Sequence, residues 1–317
     1  MTSELSSLCS YAKGKVSVDT LSKRNYVSTE NMMPNKGGIV DAGALPSAQY
    51  TQQYIKDDIL VSNIRPYFKK IWMADDDGGC SNDVLVFRAD RGCDSTFLYY
   101  ILANDAFFNY ASATSKGTKM PRGDKTAIMQ YKVPCFNYET QLRIGKLLRS
   151  IDDRIAVNKK INDNLQQQAA ALFSSLYDRT NTEVRFTDLI QILGGGTPKT
   201  GENTYWNGNI AFFTPKDVGT PYTLITEKTI TEEGLSHCNS RLYPVNTVFV
   251  TARGTVGKVG MSGVPMAMNQ SCYALVGKET HQLLVYFYTL KAVDRLKHKA
   301  SGAVFDAITT RDFESEQ

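Results

Sequence analysis

The chain has 317 residues, 42% hydrophobic and 21% charged, with a formal net charge of +4. That length has room for two ordinary domains and a connecting segment, each domain able to bury its own core. The mild basic balance permits nucleic-acid binding without requiring it, while six cysteines with no C-x-x-C pair and only three histidines argue against zinc at finger or ribbon spacing.

Read in chain order, residues 1–137 predict short strands broken by Gly, Pro and Asn. Ile59–Ser62, Lys70–Met73 and Val84–Phe87 run apolar or alternate, as core and half-buried strands do. A helix is predicted over Phe97–Tyr110, where Leu98, Ile101, Leu102 and Phe108 recur at helical spacing. From Asn137, a predicted N-cap with Glu139 in the first turn, to Tyr177 there is no proline and only Gly145. Apolar residues there fall at Ile144, Leu148, Ile151, Ile155, Leu165, Ala169, Leu172 and Leu176, and Asn158 and Asn162 fill the two remaining places of a 4–3 seam. A helix of about forty residues is a rod of roughly 60 Å, a little under two turns of B-DNA. The plainer reading is an amphipathic helix lying on a globular core. Beyond it, strands are predicted near Thr247–Thr251, Val256–Met261 and Tyr273–Val276, then a helix over Gln282–Lys299.

The second half repeats the first. Val61-Ser62 and Lys70–Met73 are answered by Val250-Thr251 and Lys258–Met261, at offsets of 189 and 188 (250 − 61; 258 − 70), and Arg65 is matched with Arg253. Leu5, Leu8 and Gly14 align with Phe186, Leu189 and Gly195 at 181 (186 − 5), and Ser115–Gly117 with Ala300–Gly302 at 185 (300 − 115). Drifting offsets place the length changes in loops, and the period exceeds that of a solenoid unit. Each copy is expected to be α+β, a twisted sheet with one or two helices. The sequence stops near where the first copy still has Tyr131–Pro134 before its helix, so a second spacer helix is expected to be missing.

Two similar domains around a long heptad helix resemble the specificity subunit of type I restriction–modification systems. Pro134 with Gln141, Ile144, Leu148 and Ile151-Asp152 resembles that family's entry into its first spacer. Leu193–Pro198 with Tyr205-Trp206 and Ile210–Asp217 is similar to the opening of its target-recognition domain, and Thr251–Lys258 to its central strand–loop–strand. The first copy departs, with Lys13-Gly14-Lys15 where the second has its glycine run. The resemblance implies target-recognition domains at 1–137 and 181–317, a coiled-coil spacer at 138–180, and one DNA half-site read per domain. It further implies docking of methyltransferase subunits on the spacer, later joined by a restriction–translocase subunit. The chain itself would be non-catalytic and without cofactor; S-adenosylmethionine, ATP and Mg would belong to partner subunits. Self-association through the unpaired helix is a further expectation. The interface residues implied are Ile144, Leu148, Ile151, Ile155, Asn158, Asn162, Leu165, Leu172 and Leu176.

Loop residues carry the DNA-binding expectation, because Arg and Lys pair with guanine or phosphate and Asn and Gln with adenine. In the first copy these are Arg65, Lys69, Lys70, Asn82, Lys116, Lys119 and Arg122; in the second, Thr197, Lys199, Lys216, Arg253, Lys258, Asn269 and Gln270. A solvated surface charge is the plain alternative for each, and Asn269-Gln270 could instead cap a turn. Tyr205 and Trp206 read as core aromatics more readily than as stacking platforms. The basic spacer residues read as a solvated face. Gly257-Lys258 is not a P-loop, since Ala252 and Val259 stand where glycine and Ser/Thr are needed; the glycines read as a tight turn between strands. The rival functions are a duplicated protein- or carbohydrate-binding module with a helical oligomerisation stalk, and an enzyme whose site leaves no motif. No run approaches the 18 or so apolar residues of a membrane span and no signal peptide is visible, so a cytoplasmic protein with reduced thiols is expected.

Overall fold

The computed structural model describes residues 2–180, 183–219, 221–299 and 306–317. Packing divides the chain into two compact units, Met1–Ile161 and Asn162–Gln317.

In the first unit the central sheet has the antiparallel order Cys9–Tyr11, Val84–Ala89, Ile59–Ser62, Ile71–Met73. Both of its faces are buried, which is why its middle strands read as unbroken apolar runs. Ile59, Val61, Leu85 and Phe87 point into one core with the helices Ser95–Leu102, Asp105–Ala113 and Lys125–Met129. Their alternate neighbours Leu60, Val84 and Val86 point the other way, against Val27, Tyr54 and Cys80 of a second sheet. That sheet runs Lys15–Ser17, Tyr50–Tyr54, Gly78–Cys80, Tyr26–Val27, with its last pair parallel.

The second unit repeats the plan. Ile190–Gly194, Cys272–Gly277, Val248–Thr251 and Val259–Ser262 lie in the same order and sense, with Tyr222–Thr223 added at the edge. Even the register is shared: Ile59↔Phe87 becomes Val248↔Leu275, and Cys9↔Ala89 becomes Ile190↔Gly277. Val248, Val250 and Leu275 face the helix side, Phe249, Cys272 and Ala274 the other. The duplication is therefore a duplication of hydrogen-bond ladders as well as of sequence. The second sheet of this unit is shorter, Lys228–Ile230, Trp206–Phe213, Met266–Met268. Only an isolated Tyr243↔Met266 bridge stands where the first unit has Tyr54↔Gly78.

The strand expectations hold to within three residues. The helix expected over Phe97–Tyr110 is two helices, because Asn104 Oδ1 accepts from Ala106 N at 2.9 Å and caps a new one. In the second unit the matching stretch carries Lys291 and Ala292, good helix formers, and Gln282–Lys299 is one helix as expected.

The spacer helix runs Tyr138–Tyr177, 40 residues, with Asn137 Oδ1 accepting from Thr140 N at 2.8 Å as its N-cap. Within the first unit, Ile144 packs on the core and Gln141 reaches back to Asp94 N and Phe136 O. Within the second, Phe173 stacks on Phe287 with centroids 5.2 Å apart. Most of the predicted seam is uncovered: Ile151, Ile155, Leu165, Leu172 and Leu176 are about half exposed or more, Asn158 and Asn162 are exposed, and Leu148 is half-buried. Among the described residues no helix is long and apolar enough to cross a membrane.

Candidate nucleic-acid interface

Each central sheet ends in the same trio of backbone junctions. In the first unit the loop after Ile59–Ser62 is tied to the turn after Gly78–Cys80 by Asn63 N donating to Asp83 O at 2.8 Å; Gly123 N donates to Asn63 O at 3.1 Å, and Ile64 bridges Arg122. In the second, Ala252 N donates to Ser271 O at 2.8 Å, Ile308 N to Ala252 O at 3.0 Å, and Arg253 bridges Ala307. Equivalent hydrogen bonds make Ile64, not Arg65, the structural counterpart of Arg253. The second loop is one residue shorter, so the match of Arg65 with Arg253 on residue type alone is out of step by one residue.

In the first unit Arg65, Lys116 and Arg122 come together: Arg65 N donates to Pro121 O at 2.8 Å, and Lys116 and Arg122 exchange backbone hydrogen bonds at 2.9 Å. Asn82 lies beside Asp83, whose carboxylate holds Arg122 at 3.1 Å. Lys69 turns elsewhere. It shares Asp105 with Lys36, at 2.9 and 2.8 Å, and these two lysines hold the Asp105 carboxyl down at about 2. Lys70 Nζ donates to Thr29 O at 2.6 Å, and Lys116 pairs with Asp124 at 2.5 Å, which raises the lysine's pKa and lowers the carboxyl's. Lys119 is exposed in the loop between Lys116 and Arg122. Arg65 and Lys69 both occupy left-handed backbone, and Arg65 Nε and Asn63 Oδ1 are buried with no hydrogen-bond partner among the described residues. A non-glycine left-handed residue costs about 1–3 kcal/mol, and such strain concentrates at working loops.

In the second unit the glycine run packs on the turn that carries Asn269 and Gln270. Gly196 N donates to Met268 O at 3.1 Å, and a Cβ on Gly195 would fall 2.3 Å from Asn269 O, so only glycine fits there. Thr197 Oγ1 donates to Gln270 Oε1, joining those two expected residues directly. Asn269 is partly spent on its own turn, its Oδ1 accepting from Ser271 N at 3.1 Å. Arg253 and Lys258 are exposed at the two ends of the hairpin Thr251–Lys258. That hairpin is pinned by Gly257 N to Thr251 O, Lys258 N to Thr251 Oγ1, and Thr251 Oγ1 to Thr255 O, with Gly254 and Gly257 at positive φ. It joins two antiparallel strands, and a P-loop would need a helix there. Lys199 is exposed, its carbonyl accepting from Trp206 Nε1 at 3.2 Å. Lys216 lies three residues past Phe213, whose carbonyl accepts from Asn269 N, and it approaches Glu227 at 3.7 Å. Trp206 packs with Ile210, Phe212 and Ile230, as a core aromatic does.

Residues 300–302, the predicted partner of Ser115–Gly117, lie outside the described residues. Reading the sequence missed Lys13, Lys15 and Lys125, which line a cleft beside Asn82. The i, i+2 lysines were visible only as a departure from the glycine run. Among the described residues no group of three or more His, Cys, Asp or Glu could hold a metal ion.

The family model for the type I restriction modification DNA specificity domain matches residues 1–167 and again 179–317, so the chain belongs to that family, with one match to each half. It is 31% identical over 127 residues to the MjaIX specificity subunit of Methanocaldococcus jannaschii, covering 38% of this chain and 29% of that one. It is 30% identical over 169 residues to the EcoR124I/EcoR124II specificity subunit of Escherichia coli, covering 49% and 42%. The chain thus spans less than half the length of these curated relatives. In fold it is similar to an S subunit of a type I restriction–modification system from M. genitalium, with TM-score 0.64 at 15% identity, covering 99% of this chain and 82% of that one.

Proposed function

We propose that the chain is a non-catalytic DNA-recognition subunit of a type I restriction–modification complex. Each domain reads one half of a bipartite duplex site, and the spacer helix docks the methyltransferase subunits. The observation that carries this reading is the family match to both halves, supported by loops rich in Arg, Lys, Asn and Gln at equivalent ends of two register-matched sheets. Phosphate contacts supply most of the affinity and base-edge contacts from these loops the specificity. On this reading Arg65, one residue past its junction, and Arg253, within the equivalent one, meet base edges. The uncovered seam from Ile151 to Leu176 supports a protein partner on the helix. S-adenosylmethionine, ATP and Mg are used by partner subunits, and the restriction–translocase subunit joins the assembly; this chain binds duplex DNA and protein in the cytoplasm.

The test is a mobility shift of mixed duplex by the chain reconstituted with its methyltransferase, at 50 and 200 mM salt. Retention that falls about a thousandfold or more between the two supports the reading. Absence of binding at both salts, or activity of the isolated chain on a small molecule, contradicts it.

A further inference from the structure

A cleft of about 370 Å³ opens in the first unit between the edges of its two sheets, lined by Lys13, Lys15, Gln52, Asn82 and Lys125 among others. Three separate elements bring its lysines together. Lys13, in the irregular stretch after Cys9–Tyr11, and Lys15, the first residue of Lys15–Ser17, flank Gly14 and both line the cleft. Lys15 pairs across the ladder with Gln52, and Tyr11 Oη donates to Lys125 O at 3.0 Å, bringing the short helix Lys125–Met129 to the same rim. All three lysines are exposed. Neighbouring cations are neutralised, Lys116 by Asp124, Arg122 by Asp83, and Lys132 by Glu4, but among the described residues no carboxylate pairs with Lys13, Lys15 or Lys125. Concentrated positive charge in a concave site, left without counter-charge, is arranged for an anion from outside the chain. Asn82 belongs both to this cleft and to the turn tied to the Asn63–Lys70 loop, so the cleft adjoins the proposed recognition surface. The second unit differs at the equivalent place: glycines replace the lysines, and Thr197 and Gln270, the latter equivalent to Asn82, bond to one another.

We infer that this cleft is a phosphate clamp, in which Lys13, Lys15 and Lys125 hold the DNA backbone just outside the half-site read by the first domain, with Gln52 and Asn82 as neutral donors. The second domain has no such clamp at the equivalent place. The inference rests on the DNA-recognition reading and adds to it a side-specific grip.

The test pairs a protein change with a DNA change in the reconstituted complex. The variant Lys13→Gln/Lys15→Gln/Lys125→Gln, its folding checked by an unchanged melting temperature, is titrated onto duplexes in which single phosphates are made neutral methylphosphonates. The triple variant is expected to bind about ten- to a hundredfold more weakly near 150 mM salt, with the same preferred bases and a log–log salt slope reduced by about 2–3. One or two phosphates flanking the first half-site should weaken the wild type when neutralised but leave the variant unmoved, as coupled groups do. Equal affinity and slope in both proteins, or methylphosphonate losses of the same size in both, overturns the clamp alone. Failure of the wild-type complex to bind any duplex overturns the clamp together with the reading beneath it. Should the triple variant unfold, Lys125→Gln alone decides the matter, with a slope change of about 1 expected and none overturning the clamp.

Discussion

The two domains share four central-sheet strands pair for pair, the second adding Tyr222–Thr223 at the edge, yet their loop ends differ in charge pairing. In the first, three of the six cations expected at the interface are held by carboxylates: Lys69 by Asp105, Lys116 by Asp124, Arg122 by Asp83. In the second, Lys199, Arg253 and Lys258 pair with no carboxylate among the described residues, and the glycine run is packed tightly against the Met268–Gln270 turn. The sheet is constrained on both faces by two cores, so its register cannot drift without exposing a whole set of apolar side chains. The loops carry no such constraint and have diverged in length, charge and internal pairing. Duplicated scaffold with divergent tips fits the proposal that the two domains read unlike short sequences.

The comparison can be broken first at the helix. Ile151→Asp with Ile155→Asp places two charges on a stretch of the seam that the first unit leaves uncovered. Assembly with the methyltransferase should be lost, as seen by the mass of the complex, while circular dichroism and melting stay near wild type. Assembly that survives removes the seam from the docking surface.

Next comes the equivalence of the sheets. Leu60 and Phe249 occupy matching central positions, both fully buried. Leu60→Ala should cost about 2–5 kcal/mol and Phe249→Ala about 3–5 kcal/mol. Each should act on its own unit, so limited proteolysis is expected to release cleavage in the mutated half first. Simultaneous opening of both halves by either change would contradict the division into two units.

The smallest effect concerns the buried thiols. Burial pushes Cys80 in one unit and Cys272 in the other up to about 12, from an ordinary value near 9. The folded state keeps these protons while the unfolded chain releases them. Their contribution is therefore full below about pH 9 and is lost as pH rises toward 12. Melting temperature should be insensitive to Cys80→Ala and Cys272→Ala in its slope below pH 9. Above it, both substitutions should flatten the decline; unchanged alkaline decline in both would remove the thiols from the account.

Much of the fold was legible in the sequence for a physical reason. Strands buried on both faces, such as Ile59–Ser62 and Val248–Thr251, are short apolar runs, and the capped, proline-free stretch from Asn137 reads as helix on either interpretation. The outer sheets were not legible. Tyr50–Tyr54 and Trp206–Phe213 mix polar residues into the ladder, and Gly78–Cys80 carries two glycines, the first at a point where Tyr54 and Asn25 leave no space for a side chain. Of the candidate interface, the residue types and the loops that carry them could be named from the sequence. Which cations are neutralised was not, because Asp105 and Asp124 meet Lys69 and Lys116 only through the fold. Ile64 was likewise hidden as the counterpart of Arg253, since hydrogen bonds and not letters define that equivalence.

The most direct measurement is selection of preferred duplexes from a random library by the reconstituted complex, repeated with Arg253→Ala. A site of two short specific blocks is predicted, with the substitution relaxing bases in one block only and leaving the other intact. A single contiguous site, or equal relaxation of both blocks, would contradict the assignment of one reader to each half.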